Sequence, residues 1–555
     1  MTTKKNNFER LWSILTLEKK EITSIYFYAI LSGILDLSLP LGIQAIIGFV
    51  IGAAMVTSIY ILIAIVVIGV LIIGLLQINQ LKIIEKIQQN IFTRYAFEFA
   101  DKIPKLDLKK IDDYYLPEKV NCFFETVSLQ KGLSKILLDI PIASIQILFG
   151  LILLSLYHPM FIAFGMVLII ILSLILKLTS KKGLSTSFEE SKYKYAVVSW
   201  LEELARVVKS FKFSQSTHLN LKNTDKNLMG YLTARTSHFK VLVIQYKALV
   251  FFKVALTTTM LTVGVYLLLN QQLNIGEFIA TEIVILSIMG AVEKLINSLD
   301  NVYDVVTGLE KLASLTEGDL EKDGTAILDT KNTGVSIEMI NCSFNYYKGR
   351  HILQQISMQV PANSKVCIKG SEGSGKSTLL RVLSGNYTDF EGSILINNIP
   401  IGNYKLESLR NITGKFFNQL DIFMGSIWEN ISMGNDNITP DMISNIAKDL
   451  GFNNFLHTMP AGYDTLIDPL GKKLPTSLIK KILLLRALVN NPNLLLLEEP
   501  WQGFDENLSS KIMHYLLQQV QNATILVVTN STEFASQCDY QIELQNGILK
   551  MSKNN

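Results

Sequence analysis

From Leu37 to Leu81 the chain carries no charged residue. A helix that crosses a bilayer needs ~20 apolar residues. This run therefore holds most of two spans, at about 22–48 and 59–80, around the neutral turn "GAAMVTS". A second hairpin follows. Ile140 to Leu176 contains no Asp, Glu, Lys or Arg, and "YHPM" (Tyr157 to Met160) divides it into spans at about 136–157 and 160–178. A third pair is expected at about 248–270 and 275–295, with "NQQLN" between them. Buried helices of a soluble protein do not account for uncharged runs this long. An apolar content of 49% and a positive mean hydropathy of +0.31 agree with six spans in three hairpins.

The connections set the orientation. The outer turns are short and nearly uncharged, whereas the segments at about 81–135 and 177–247 are long and rich in Lys, as in "LKIIEKIQQN" and "KLTSKKGL". Positive charge stays on the cytoplasmic side, so the N-terminus and both long segments are expected there. The first apolar segment is too long for the h-region of a cleavable signal. Helices are expected to continue out of the membrane, with breaks near Pro117 and around "KSFKFSQSTHLN". Asp36 and Glu282 fall inside expected spans, where an ionised carboxylate costs roughly 2.5–3.5 kcal/mol. Each is expected to face a bundle interior or a wet cavity; substrate contact, packing, solvation at a helix end and a salt bridge all remain open.

With 555 residues, at least two domains are expected. A net charge of +3 makes no case for a nucleic-acid partner. Cys122, Cys342, Cys367 and Cys538 are scattered, without metal or disulfide spacing, and read as reduced thiols. After the amphipathic stretch "DVVTGLEKLASL" the composition shifts. The expected division is a membrane domain over 1–315, a linker over 316–333 and an α/β domain over 334–555. In the last of these, a short strand (Val366 to Ile368) meets Gly370-Ser371-Glu372-Gly373-Ser374-Gly375-Lys376-Ser377, and a helical run follows through Thr378. This is G-x-x-x-x-G-K-[ST] in strand–loop–helix context. The glycines let backbone N–H groups wrap phosphate oxygens, and the helix points its positive end at them. Lys376 can reach the β- and γ-phosphates of ATP, and the Ser377 hydroxyl can ligate Mg²⁺. "NNPNLLLLEEPWQGFD" reads as a buried strand that delivers two carboxylates, Glu498 and Glu499, to that site.

With these motifs in this order, the whole chain resembles ATP-binding cassette exporters of the half-transporter kind, in which an all-α six-helix membrane domain is fused to one α/β phosphate-loop cassette. The resemblance implies roles for further residues. "CSFNYYKGRHILQQIS" is similar to the segment whose aromatic residue stacks on adenine, which places Tyr346 there. "LRNITGKFFNQLDIFMGSIWENI" resembles the segment holding a glutamine near the γ-phosphate; Asn418 aligns with it and Gln419 is adjacent. "GKKLPTSLIKK" resembles the start of the signature helix, with Leu474-Pro475-Thr476-Ser477-Leu478 in place of Leu-Ser-Gly-Gly-Gln. Pro475 has no N–H, and Thr476 and Ser477 bring side chains where backbone should approach phosphate. Glu498 stands at the position that holds Mg²⁺, one methylene longer than the usual aspartate, and Glu499 at the general base. Asn530 replaces the switch histidine; it can hydrogen-bond a phosphate but carries no charge.

By the same resemblance two cassettes close head to tail around ATP, in a homodimer or a heterodimer with a second half-transporter, in the inner (cytoplasmic) membrane with the cassette in the cytoplasm. Coupling segments are expected near Pro117–Phe124 and Phe211–Lys222. The expected function is an ATP-driven exporter whose turnover is slowed by the four altered motifs. The alternative is an ATP-binding regulatory or scaffolding module with little turnover. "LPLGIQAII" and "TVSLQKGLSKIL" resemble exporters of the type I secretion group, which move peptides or proteins and often work with a periplasmic adaptor. Only about 20 residues precede the first span, too few for the peptidase-like domain that group often carries. Peptide, lipid and drug cargo all stay open.

Overall fold

The computed structural model describes residues 6–52, 56–111, 116–213, 218–318, 320–328, 333–346, 351–419, 421–452, 455–456, 459–468 and 474–554. It divides into two units, one of Met1–Lys105 with Tyr114–Gly318 and one of Leu106–Asp113 with Asp319–Asn555.

The first unit is helical. We name its principal helices α1 (Asn7–Leu17), α2 (Lys19–Asp36), α3 (Ser38–Ile51), α4 (Val56–Lys102), α5 (Glu125–Tyr157), α6 (Met160–Arg206), α7 (Leu219–Leu269) and α8 (Ile275–Thr316). Among the described residues six helices are long and apolar enough to cross a membrane, with α2 and α3 acting as one. Each expected span falls on one of them, the one at about 248–270 running one residue past Leu269. At 1.5 Å per residue, the 51 residues of α7 run far beyond the ~30 Å hydrocarbon core, as the sequence led us to expect of helices leaving the bilayer. The hairpin α7–α8 turns on a capping box: the Asn274 side chain accepts from Glu277 N and the Glu277 carboxylate accepts from Asn274 N, each at 2.8 Å. The stretch "DVVTGLEKLASL" is not a separate helix but the last turns of α8. Helix breaks fall near Pro117 and between Arg206 and Leu219 as expected; Ser214 to Thr217, inside the second expected coupling segment, and Ala53 to Met55, inside the first outer turn, lie outside the described residues.

One expected span is interrupted. The stretch 22–48 bends at Leu37, between α2 and α3. Pro40 explains the break: it has no N–H to give the carbonyl four residues back, that of Asp36. Asp36 itself faces the helix bundle, where Gln146 Nε2 donates to Asp36 Oδ2 at 3.0 Å and to Ser287 Oγ at 2.6 Å. Glu282 is half-buried and makes no hydrogen bond or ion pair among the described residues.

The second unit is built on a six-stranded sheet in the order β12-β11-β3-β10-β9-β6. Its strands are β3 (Lys365–Lys369), β6 (Thr413–Phe416), β9 (Leu494–Glu498), β10 (Thr524–Val528), β11 (Tyr540–Gln545) and β12 (Ile548–Lys553). All pair in parallel except the β11–β12 hairpin. A four-stranded antiparallel sheet, β2-β1-β4-β5, is formed by β1 (Ile337–Phe344), β2 (Leu353–Val360), β4 (Glu391–Ile396) and β5 (Ile399–Pro400). A two-residue pair, β7 (Gly425–Ser426) with β8 (Leu466–Ile467), completes the strands. Leu494 to Leu497 are wholly buried, as a strand covered on both faces requires. The expected membrane-domain limit at residue 315 falls just short of Gly318. Leu106–Asp113, expected with the membrane half, belongs instead to the second unit. Leu106 bridges Leu320 in antiparallel fashion, and Lys109 Nζ donates to Asp389 Oδ2 at 2.9 Å.

Candidate nucleotide site

Parallel pairing brings three strand ends to one edge. Ile368 of β3 is the partner of Val528 of β10, and Val528 of Glu498 of β9. The loops leaving these strands therefore converge, at the carboxyl ends where open α/β sheets bind ligands.

The loop Gly370–Gly375 leads into α9 (Lys376–Leu383), whose N-cap is Gly375. Two glycines are obligatory here. A Cβ on Gly370 (φ +154°) would stand 2.2 Å from the Leu544 carbonyl oxygen, and one on Gly375 (φ +100°) 3.0 Å from that of Ile352. Ser371, Glu372 and Gly373 are exposed at the loop tip, and Ser374 is buried. Lys376 Nζ donates to the carbonyls of Gly370 at 2.8 Å and Ser371 at 2.6 Å, so the ammonium is held inside the loop's own curve. Thr378 is buried, and its Oγ1 lies 3.1 Å from the Tyr346 hydroxyl. The Tyr346 ring meets Phe344 and Tyr387 edge to face, at 5.0 and 5.5 Å between centroids. Beside it opens a cleft of about 830 Å³, lined by Tyr387, Arg381, Gln419, Arg486 and Leu108, with the phosphate loop outside it.

Both carboxylates at the end of β9 reach this loop or its neighbours. Ser377 Oγ donates to Glu498 Oε1 at 2.5 Å, and Asn418 N donates to Glu498 Oε2 at 3.3 Å. Glu499 has left-handed backbone (φ +44°), an uncommon state for a residue with a side chain and one found at functional sites. Its carboxylate accepts from Thr529 Oγ1 at 3.0 Å, and the same Oγ1 accepts from Ser531 N at 3.2 Å. The sequence reading missed Thr529. Its only signal was a polar residue closing the apolar strand "TILVV". Asn418, Gln419 and Asn530 are exposed on the loops that follow β6 and β10. A hydroxyl beside a carboxylate is a fitting donor set for Mg²⁺, which prefers hard oxygen ligands.

Thr476 and Ser477 are not joined to the loop by any hydrogen bond among the described residues. They form the first turn of α10 (Thr476–Leu488), where helix geometry leaves their N–H groups without an intrahelical partner. Pro475 is the N-cap and supplies no side-chain cap. Gly471 to Lys473, which precede the expected signature Leu474–Leu478, lie outside the described residues.

The model of the ABC transporter family matches residues 353–502, which span the phosphate loop, α10 and β9. A structure of a bacterial Atm1-family ABC exporter with ATP bound superposes with a TM-score of 0.85 at 18% identity, over 97% of this chain and 95% of that one. The chain has the fold of an ABC half-transporter. Relatives include the mitochondrial iron-sulfur clusters transporter ABCB7 of Oryzias latipes, 31% identical over 227 residues, which are 41% of this chain and 30% of that protein. A probable ABC transporter ATP-binding/permease protein of Haemophilus influenzae is 30% identical over 289 residues, 52% of each chain. The matches thus span about a third to a half of these relatives. The six long apolar helices are those of a multi-pass membrane protein, and residues 353–502 resemble the ABC transporter domain, a kind that binds ATP.

Proposed function

We propose that the chain is one subunit of a dimeric exporter in a cytoplasmic membrane, which uses ATP binding and hydrolysis in its cassette to move cargo. The observation that carries this reading is the meeting of Ser377, Glu498 and the Glu499–Thr529 pair at one edge of a parallel sheet. In the proposed site Gly370 to Thr378 cradle the phosphates, and Tyr346 holds the adenine. Ser377 and Glu498 hold Mg²⁺, Glu499 orients the attacking water, and Asn418, Gln419 and Asn530 line the γ-phosphate. Thr476 and Ser477 serve the ATP of the partner subunit. A partner with an unaltered signature helix would complete the Lys376–Glu499 site, so a heterodimer fits these residues better than a homodimer.

Pro475 at the head of α10 favours a second reading, an ATP-binding regulatory module with little turnover. One experiment separates the two. Full-length protein in lipid, with its co-encoded partner, is assayed for ATP hydrolysis and ATP-dependent uptake into inverted vesicles. The exporter reading expects both activities and their loss in Lys376→Ala and Glu499→Gln. Tight ATP binding without turnover selects the module, and no affinity for magnesium-ATP defeats both.

A further inference from the structure

Three stretches of the membrane unit, 22–81, 140–176 and 254–292, contain three carboxylates (Asp36, Glu277 and Glu282) and no Lys or Arg. Glu277 is used in the cap of α8. Asp36 is used by nothing of opposite charge. It stands 15 residues after Glu21, roughly 22 Å along the helix. That is deep in a bilayer whose core is ~30 Å thick. Its Oδ2 accepts from Gln146, and its Oδ1 has no hydrogen bond among the described residues. Its backbone carbonyl is the one that Pro40 leaves without a helical donor. Two acceptors of one residue are thus open at the break between α2 and α3.

Asp36 also lines a cavity. A space of about 50 Å³ is lined by Asp36, Pro40, Gln146, Ser287, Gly33 and Gly150, with Ile283 and Val284 beside them. On the same measure a water needs about 10–15 Å³. The space therefore admits a head group of a few heavy atoms and excludes a bulky aromatic cation. Gln146 turns its amide N–H groups toward Asp36 and Ser287, so a bare metal ion would find few oxygens. An ammonium needs fewer, because it brings three donors to acceptors already in place. Placing a cation here also supplies the counter-charge that an intramembrane carboxylate otherwise lacks.

We propose that Asp36, Gln146 and Ser287 form a site for the primary ammonium head of an amphipathic cation, with its apolar tail along the flanking helices. That this ligand is cargo rests on the exporter reading above; that it binds does not.

The test uses the full-length protein in phosphatidylcholine nanodiscs without nucleotide. Dansylcadaverine, a fluorescent primary amine, is titrated against its N-acetylated form, which keeps the shape and loses the charge. We expect saturable binding with a preference for the amine of about tenfold or more. Asp36→Asn should abolish the preference and leave ATP affinity unchanged. A companion measurement needs no variant: dodecylammonium should displace the probe from the wild-type protein at concentrations about tenfold or more below those of dodecanol. Equal binding of the two probes, equal displacement by the two amphiphiles, or a preference that survives Asp36→Asn overturns the site. Failure of the exporter reading shows elsewhere, as turnover that does not respond to Lys376→Ala.

Discussion

Ser377 donates to Glu498 at 2.5 Å, and the other oxygen of the same carboxylate accepts the Asn418 N–H. One side chain thereby ties the phosphate loop to the loop after β6. Replacing Glu498 by Ala removes a hard oxygen from the proposed Mg²⁺ site and both hydrogen bonds. The apparent Mg²⁺ affinity, read from nucleotide binding against metal concentration, should fall at least ~10-fold. An unchanged metal titration would remove Glu498 from the site.

Thr529 should matter to turnover and not to binding. Its hydroxyl donates to Glu499 at 3.0 Å, and Glu499 already sits on strained backbone. A hydrogen bond to a charged group is worth about 1.5–3 kcal/mol. Thr529→Val should then lower the hydrolysis rate by roughly one to two powers of ten, with ATP affinity within about twofold of wild type. Thr529→Ser should recover most of the rate. Loss in the Ser variant with the Val variant near wild type would point to packing of the methyl group instead.

Much of this arrangement was legible in the sequence, for reasons that differ by element. Uncharged runs such as Leu37–Leu81 leave a helix few places except lipid. Leu494 to Leu497 read as a buried strand because a parallel strand is covered on both faces. Relations made between distant strand ends were not legible. Thr529 and Glu499 lie 30 positions apart, and only the pairing of Val528 with Glu498 makes them neighbours. The membership of Leu106–Asp113 in the second unit depends likewise on a bridge from Leu106 to Leu320. The bend at Leu37 was missed for another reason: Pro40 was visible, but a proline inside an apolar run does not announce whether the helix kinks or stops.

The cassette should lose stability in mild alkali through its thiols. Cys342, Cys367 and Cys538 are all buried, and burial raises all three, Cys367 to about 11. In the unfolded chain a thiol ionises near pH 8.5. A raised native value favours the neutral form, so this stabilisation is complete below about pH 8.5 and is lost as pH climbs through the native values. Each pH unit in that window should cost up to about 1.4 kcal/mol per thiol. The melting temperature at about pH 9.5 should lie below that at about pH 7.5, and Cys367→Ala should lose less on the same change. Iodoacetamide should leave these three residues unlabelled in the native protein. Rapid native labelling would contradict their burial.

Restoring the head of α10 is the sharpest test of whether the altered signature limits the cassette. Pro475 caps the helix without a hydroxyl or an N–H, and the exposed Thr476 begins its first turn. Pro475→Ser returns both groups. A serine at this position should strengthen the helix by about 0.5–2 kcal/mol, readable as a higher melting temperature. One preorganised contact to developing charge is worth about 10²–10³ in rate. In a homodimer, Pro475→Ser should therefore raise ATP turnover severalfold or more with no partner added. In a heterodimer, the gain should appear only when the partner's own phosphate loop is intact, because the helix of this chain then serves the partner's ATP. A stabilised helix with unchanged turnover in either setting would clear Pro475 and move the limit to the other altered positions, Asn418, Glu498 and Asn530, of which Asn530→His is the first to restore.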